Sequence, residues 1–362
     1  MRKKRVLIVD DSVVIRRSLA DGLSHDPALE VMGAAPSGRV ALMRIPLVHP
    51  DVVTLDTEMP EMSGLETLAA IRHIYPKLPV IMLNEPTEQG AAVTLDALAS
   101  GALDYVTKPE TNSKDTLEKL SREVASKIAS CCPDTSQQHS VTVLDSPPIK
   151  SARLPGGSGV DRRVDVLAIG VSTGGPNALM DLIPQFAADF PIPILIVQHM
   201  PPVFTKILAE RLAAKCKIHV AEGRLNQPPL PGDAWIAPGD FHMAVERANT
   251  AVHIQIHQGP PENFCRPAVD VLFRSVAKVY GRHVLAVVLT GMGQDGFRGC
   301  KQIHAAGGQV LVQDEASSVV WGMPRFIARA GIADEILSLR ELGPEIISRV
   351  WRHRAPKLCD IS

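Results

Sequence analysis

From Arg5 to about Lys127, short apolar runs alternate with stretches of helical periodicity: Val6 to Val9 then Val13 to Leu23, Val52 to Leu55 then Leu65 to Ile74, Val80 to Leu83 then Gly90 to Ala99. This alternation predicts a parallel sheet wrapped by helices. Around residues 130 to 163 the chain turns to Ser, Pro, Gln, Gly and Lys, with Ser146-Pro147-Pro148 and Pro155-Gly156-Gly157-Ser158-Gly159 inside it, a composition expected of a flexible linker. From Val164 the alternation resumes, with strands expected at Val166 to Ile169, Ile192 to Val197, His283 to Leu289 and Gln309 to Val312. Ala234 to Ala237, Met243 to Glu246 and Val252 to Ile256, spaced by turns, read as antiparallel ribbons inserted in this second half. The expected organisation is an α/β domain over 1–127, a linker over 128–163 and a second α/β domain over 164–355.

A chain of 362 residues is long enough for two such cores. With 38 basic against 39 acidic residues, a net charge of -1, no global field draws it to nucleic acid or an anionic membrane. The six cysteines show no metal-binding spacing and suit free thiols in a reducing compartment. The apolar run after the basic N-terminus is broken by Asp10 and Asp11, unlike a signal peptide, and no stretch approaches the ~18 apolar residues of a membrane span. A cytoplasmic protein without membrane insertion is expected.

The predicted strand ends carry the chemistry. Asp10 and Asp11 close the first strand, Asp56 the third, and Lys108 follows the fifth, Asp104 to Thr107, so all four should meet at the carboxyl edge of one sheet. Carboxylates that close repel one another unless a hard divalent cation such as Mg²⁺ sits among them. In the second half Ser172 ends an apolar strand in Gly170-Val171-Ser172-Thr173-Gly174, His199 ends another before Met200-Pro201-Pro202, and Asp295 sits in the glycine-rich turn after a third. A hydroxyl, an imidazole and a carboxylate at neighbouring strand ends are the parts of a nucleophile, base and orienter for acyl transfer. The G-x-S-x-G hydrolase order, with its base last, would need a late histidine such as His304 or His353, and neither follows a clear strand. In the triad reading Met292, through its backbone N–H and helped by the His199 amide, is the expected oxyanion donor, and the Thr173 hydroxyl could steady Ser172 or His199. No cofactor is expected for this reaction. A dinucleotide site fails because the glycines do not follow G-x-G-x-x-G, and a DNA-binding output lacks a basic helix-turn-helix stretch.

The first half resembles the receiver domain of bacterial response regulators, of flavodoxin-like fold with a parallel five-stranded sheet. The resemblance implies that Asp56 accepts a phosphoryl group from a histidine kinase, that Asp11, Asp56 and the backbone carbonyl of Glu58 hold Mg²⁺, that Lys108 pairs with the phosphoryl oxygens, and that Tyr105 is the aromatic switch residue. Asn84 stands where receivers usually carry Ser or Thr. Across the second half, Gly170-Val-Ser-Thr-Gly-Gly-Pro176, Gln198-His-Met-Pro201, Ile236-Ala-Pro-Gly239, Arg266-Pro267, Val269-Asp270, Leu289-Thr-Gly-Met-Gly293 and Trp321-Gly-Met-Pro324 resemble the chemotaxis protein-glutamate methylesterases, the CheB family. Ala268 and Cys265 depart from that family's usual Ser and His. The resemblance implies a doubly wound, mostly parallel catalytic domain that hydrolyses glutamate γ-methyl esters on chemoreceptor cytoplasmic helices and deamidates receptor glutamines. It also implies that the unphosphorylated receiver covers the Ser172 site. The rival reading is a receiver-gated scaffold with little esterase activity.

Overall fold

The computed structural model describes residues 2–131, 163–352 and 354, and the chain divides into two compact units. The first unit carries β1 (Lys4–Val9), β2 (Leu29–Ala35), β3 (Val52–Asp56), β4 (Val80–Asn84) and β5 (Asp104–Thr107), all parallel, in the order β2-β1-β3-β4-β5. β3 and β4 are buried at every position, as strands covered on both faces must be. Val6, Ile8, Ile81, Leu83 and Val106 meet Leu19, Leu23, Leu120, Val124 and Ile128 of the flanking helices in one core. Because the strands run in one direction, Asp10, Asp56, Asn84 and Lys108 arrive at one edge. The last helix of this unit runs Lys114–Cys131, and the remainder of the expected linker lies almost entirely outside the described residues.

The second unit holds β6 (Val166–Val171), β7 (Ile194–Gln198), β8 (His219–Glu222), β9 (Asp233–Ile236), the hairpin β10 (His242–Ala248) and β11 (Ala251–His257), then β12 (Val284–Val288), β13 (Gln309–Gln313) and β14 (Glu335–Leu337). Seven strands form a parallel sheet in the order β14-β13-β12-β6-β7-β9-β8. The chain leaves β6 toward β7 on one side and returns to β12 on the other, so a topological switch point lies at the carboxyl ends of β12, β6 and β7. The helix Val269–Tyr280 covers this centre with Val269, Leu272, Phe273 and Val276, packed so closely that a Cβ at Gly170 would collide with Val269.

One expectation is corrected. Ala234 to Ala237 does not join an antiparallel ribbon: β9 lies parallel between β7 and β8, with Ala234, Trp235 and Ile236 buried. Turn-like spacing marked a strand here, but burial on both faces makes it an inner strand of the main sheet. The segments Met243 to Glu246 and Val252 to Ile256 do pair antiparallel, as β10 and β11.

Candidate functional site

In the first unit Lys108 is the hub. Its ammonium lies 2.7 Å from Asp56 and 3.0 Å from Asp10, with all three side chains buried. Its backbone N–H donates to the Asn84 carbonyl, 2.7 Å, fixing the residue after β5 against the end of β4. The Ser12 N–H donates to Asp10 at 2.8 Å and the Glu58 N–H to Asp56 at 3.3 Å. Asp11 is exposed, yet Asp10, Asp11 and Asp56 can each bring an oxygen within 4.8 Å of the others. Burial first, then the charge of Asp10, raises the Asp56 carboxyl to a pKa of about 7, against the pull of Lys108. Burial also raises Asp10. One lysine thus undercompensates the two buried carboxylates, and with Asp11 beside them this oxygen set fits a hard divalent cation. Glu58 lines the surface cavity beside the cluster together with Asp11, Thr57 and Met59.

Asn84 is fully buried at the end of β4; its amide donates to the Glu85 carbonyl at 3.1 Å, while its side-chain oxygen is buried without a partner. Tyr105 packs inward, with the Lys127 ammonium 5.1 Å from the ring centre.

In the second unit, β6 and β7 pair in register with Val171 beside Gln198, so Ser172 and His199 follow as neighbours at the sheet's edge. Three bonds hold this corner: the Ser172 N–H to the Thr290 carbonyl (3.0 Å), the Gly175 N–H to the Ser172 carbonyl (2.7 Å), and the Gln198 amide to the same carbonyl (3.0 Å). Gly174 takes φ 78°, a left-handed conformation that turns the strand into the helix Gly175–Leu182. A Cβ on Gly291 would stand 2.7 Å from the Ser172 Cβ, so the turn after β12 presses directly on the serine. Ser172 is half-buried and Thr173 buried, the Thr173 carbonyl accepting from the Thr290 hydroxyl at 2.9 Å.

His199 is 11% exposed and its Nε2 meets Asp295 Oδ2 at 2.8 Å. The buried Asp295 is held by four further donors: the backbone N–H groups of Val269 (2.6 Å), Asp270 (3.0 Å) and Gly296 (2.9 Å), and the Asn263 amide (2.8 Å). Burial pushes its pKa up, but His199 and these N–H groups outweigh it and hold the carboxyl below its ordinary value. In the neutral ring an ionised Asp295 keeps the proton on Nε2, leaving Nδ1 as the lone-pair nitrogen. Nδ1 faces Cys265, whose sulfur lies 3.6 Å away, and among the described residues Ser172 makes no hydrogen bond to the ring. Burial disfavours the imidazolium, yet Cys265 and Asp295 together hold the His199 pKa up at about 10.

The expected help of the His199 amide at an oxyanion is corrected: that N–H donates to the Val171 carbonyl at 3.2 Å, continuing the β6–β7 ladder. Met292 stands at the mouth of the turn, next to Gly291, whose N–H donates to Val320 and whose carbonyl accepts from Gly322 and Met323. Asn263, a support of Asp295, carries no periodic signal in the sequence because it stands in a loop; its place shortly before Arg266-Pro267 is the only mark it leaves there. Arg266 pins the same loop by ion-pairing with Asp240 and donating to the Gly259 carbonyl at 3.1 Å.

Comparison with known proteins identifies the family of each unit. Residues 167–346 match the family model for CheB methylesterase and residues 6–120 that for the response regulator receiver domain. A protein-glutamate methylesterase/protein-glutamine glutaminase of Trichodesmium erythraeum (strain IMS101) is 52% identical, the alignment covering 97% of this chain and 100% of that protein. A protein of the same name from Nocardioides sp. (strain ATCC BAA-499 / JS614) is 46% identical over 97% of this chain and 96% of its own. The crystal structure of the Thermotoga maritima CheB methylesterase catalytic domain, 39% identical, covers 51% of this chain and 98% of that domain with a TM-score of 0.50. With family models matching both units and a relative 52% identical over 97% of this chain, the chain belongs to the CheB methylesterase family and carries a response regulator receiver domain over residues 6–120.

Proposed function

We propose that Ser172, His199 and Asp295 carry the protein-glutamate methylesterase and protein-glutamine glutaminase activity of this chain, and that phosphorylation of Asp56 sets its rate. The observation that carries the reading is the Asp295–His199 pair standing at the switch point beside Ser172. Ser172 Oγ attacks the γ-carbonyl of a glutamyl methyl ester while His199 Nδ1 takes its proton; the proton then goes to the departing methoxide, releasing methanol. Water attacks the acyl-serine by the same base and frees the glutamate, and with glutamine the leaving group is ammonia. Asp295 keeps the proton on Nε2 and stabilises the imidazolium as it forms. The backbone N–H of Met292 is the donor we assign to the oxyanion, and the close approach of Gly291 to Ser172 supports it. Thr173 supports the serine corner through its carbonyl bond to Thr290.

The substrates in this reading are methylated glutamates and specific glutamines on the cytoplasmic helices of chemoreceptors, and the phosphodonor is a chemotaxis histidine kinase. A cytoplasmic enzyme follows, and no helix among the described residues is long and apolar enough to cross a membrane. The receiver pocket would hold Mg²⁺ through Asp11, Asp56 and the Glu58 carbonyl, with Asp10 adding negative charge. The charge a cation would supply there is the kind that offsets incoming phosphoryl oxygens. Asp56 accepts the phosphoryl group, Lys108 pairs with its oxygens, and Asn84 and Tyr105 relay the change.

The test follows volatile methanol from methyl-labelled receptors, with wild type and Ser172→Ala, each with and without a phosphodonor. Ser172→Ala should lose release and wild type should gain rate on phosphorylation; retained activity in the variant overturns the mechanism.

A further inference from the structure

Phe264 is the most exposed large apolar side chain among the described residues, at 104% of its reference area. It is also in a conformation that a phenylalanine resists. Glu262 and Cys265 exchange both backbone hydrogen bonds, Cys265 N–H to Glu262 at 2.8 Å and Glu262 N–H to Cys265 at 3.1 Å, closing a two-residue hairpin turn. Its central residues, Asn263 and Phe264, have φ of 51° and 64°, the type I′ pattern that favours Asn and Gly. Asn263 suits it; Phe264 does not, because its Cβ crowds the backbone in the left-handed region.

The other three turn residues are each held by a partner. Glu262 forms a bidentate pair with Arg274 at 2.6 and 2.8 Å, Asn263 binds Asp270 and Asp295, and Cys265 lies against His199. The residue left pointing outward is therefore a rigidly presented aromatic, one position from the residue touching the proposed base. Val319, 41% exposed, stands over Gly174, two residues from Ser172. Strain and exposed apolar area concentrated at the rim of a reaction centre point to a binding contact.

We propose that Phe264 is a specificity-determining knob for the receptor substrate, packing against apolar side chains on the substrate helix one turn from the glutamyl ester. On a helix, residues three and four positions from the reacting glutamate share its face and so come within reach of a neighbour of Cys265. This rests on the proposed reaction at Ser172.

The test uses the full chain with Phe264→Asn, since asparagine accepts the left-handed turn, and Phe264→Trp as the conservative variant. For a methylated receptor cytoplasmic fragment, Phe264→Asn should raise KM about 10- to 100-fold, the range for losing one buried aromatic contact, with kcat within twofold. Turnover of a small glutamyl γ-methyl ester should be unchanged, Phe264→Trp should restore KM, and the Tm of Phe264→Asn should rise by about 2–4 °C as strain is released. KM within twofold of wild type, or an equal loss on the small ester, overturns the proposal. Binding of the methylated fragment to Ser172→Ala, with and without Phe264→Asn, needs no turnover. If wild type releases no methanol but Phe264→Asn still weakens this binding, the reaction assignment fails and the knob stands; if binding is unaffected, the knob fails.

Discussion

Replacing Asp295 by Asn keeps the shape of the side chain and removes its charge, and the five donors around it decide what the amide does. Oδ1 accepts from Asp270, Gly296 and Asn263, and Oδ2 from His199 and Val269. If the amide oxygen turned toward His199, its NH₂ would face three donors, each opposed at about 1–3 kcal/mol. The other orientation opposes the Val269 N–H alone and is therefore the one adopted, at a loss of about 1–3 kcal/mol in stability. It also places an N–H against His199 Nε2, which forces the ring proton onto Nδ1. The lone pair that Ser172 needs is then absent, and a tautomer reversal of this kind lowers kcat by about 10⁴-fold. The measurement pairs methanol release at saturating methylated receptor with urea unfolding of the same variant. Asp295→Asn with the predicted stability loss but kcat within tenfold of wild type would refute the orienting role, since the fold would have felt the amide and the chemistry would not.

Cys265→Ala removes the sulfur that, with Asp295, holds the His199 pKa up at about 10. A general base works deprotonated, so kcat/KM falls as pH drops through that pKa, and lowering the pKa moves the fall to lower pH. The acid limb of kcat/KM in Cys265→Ala should therefore lie below that of wild type; an unmoved or raised limb contradicts the coupling. Asn84→Thr replaces a buried amide whose oxygen has no partner by a shorter hydroxyl able to bond a phosphoryl oxygen. The ratio of phosphorylated to unphosphorylated esterase rate should rise, and an unchanged ratio rejects that role for position 84.

The inner strands were legible because parallel sheets buried on both faces write continuous apolar runs, as in Val52 to Leu55, Val80 to Leu83 and Val166 to Ile169. The edge strands β2, β8 and β14 were not. β2 is buried only at its ends, Leu29 and Ala35, and interrupted by Gly33, β8 is a short edge strand with His219 exposed, and β14 has three half-buried residues, so none shows the fully buried pattern. Strand ends were informative enough to single out Ser172, His199, Asp295, Asp10, Asp56 and Lys108, since the carboxyl edge is where a parallel sheet exposes polar groups. What the residues could not say is which nitrogen of His199 faces which partner. That depends on Asn263, Cys265 and the first N–H groups of the helix Val269–Tyr280, brought in from a loop about 65 residues beyond His199 by tertiary folding alone.

The two strand-edge sites use the same architecture with opposite electrostatics, and the contrast explains their division of labour. Asp295 is buried yet accepts five hydrogen bonds, so its ionised form is stable with nothing bound, and the imidazole it orients is held in place before substrate arrives. Asp56 and Asp10 are as deeply buried but share one lysine, and burial raises both toward the protonated form. Such a pocket is relieved by positive charge, so cation binding has free energy to release there, while a phosphoryl group adds negative charge that Lys108 and the cation must meet. A fully satisfied pocket would bias no equilibrium. The undercompensated acids therefore belong in the domain that must change state, and the saturated aspartate in the domain that must hold its geometry through every turnover.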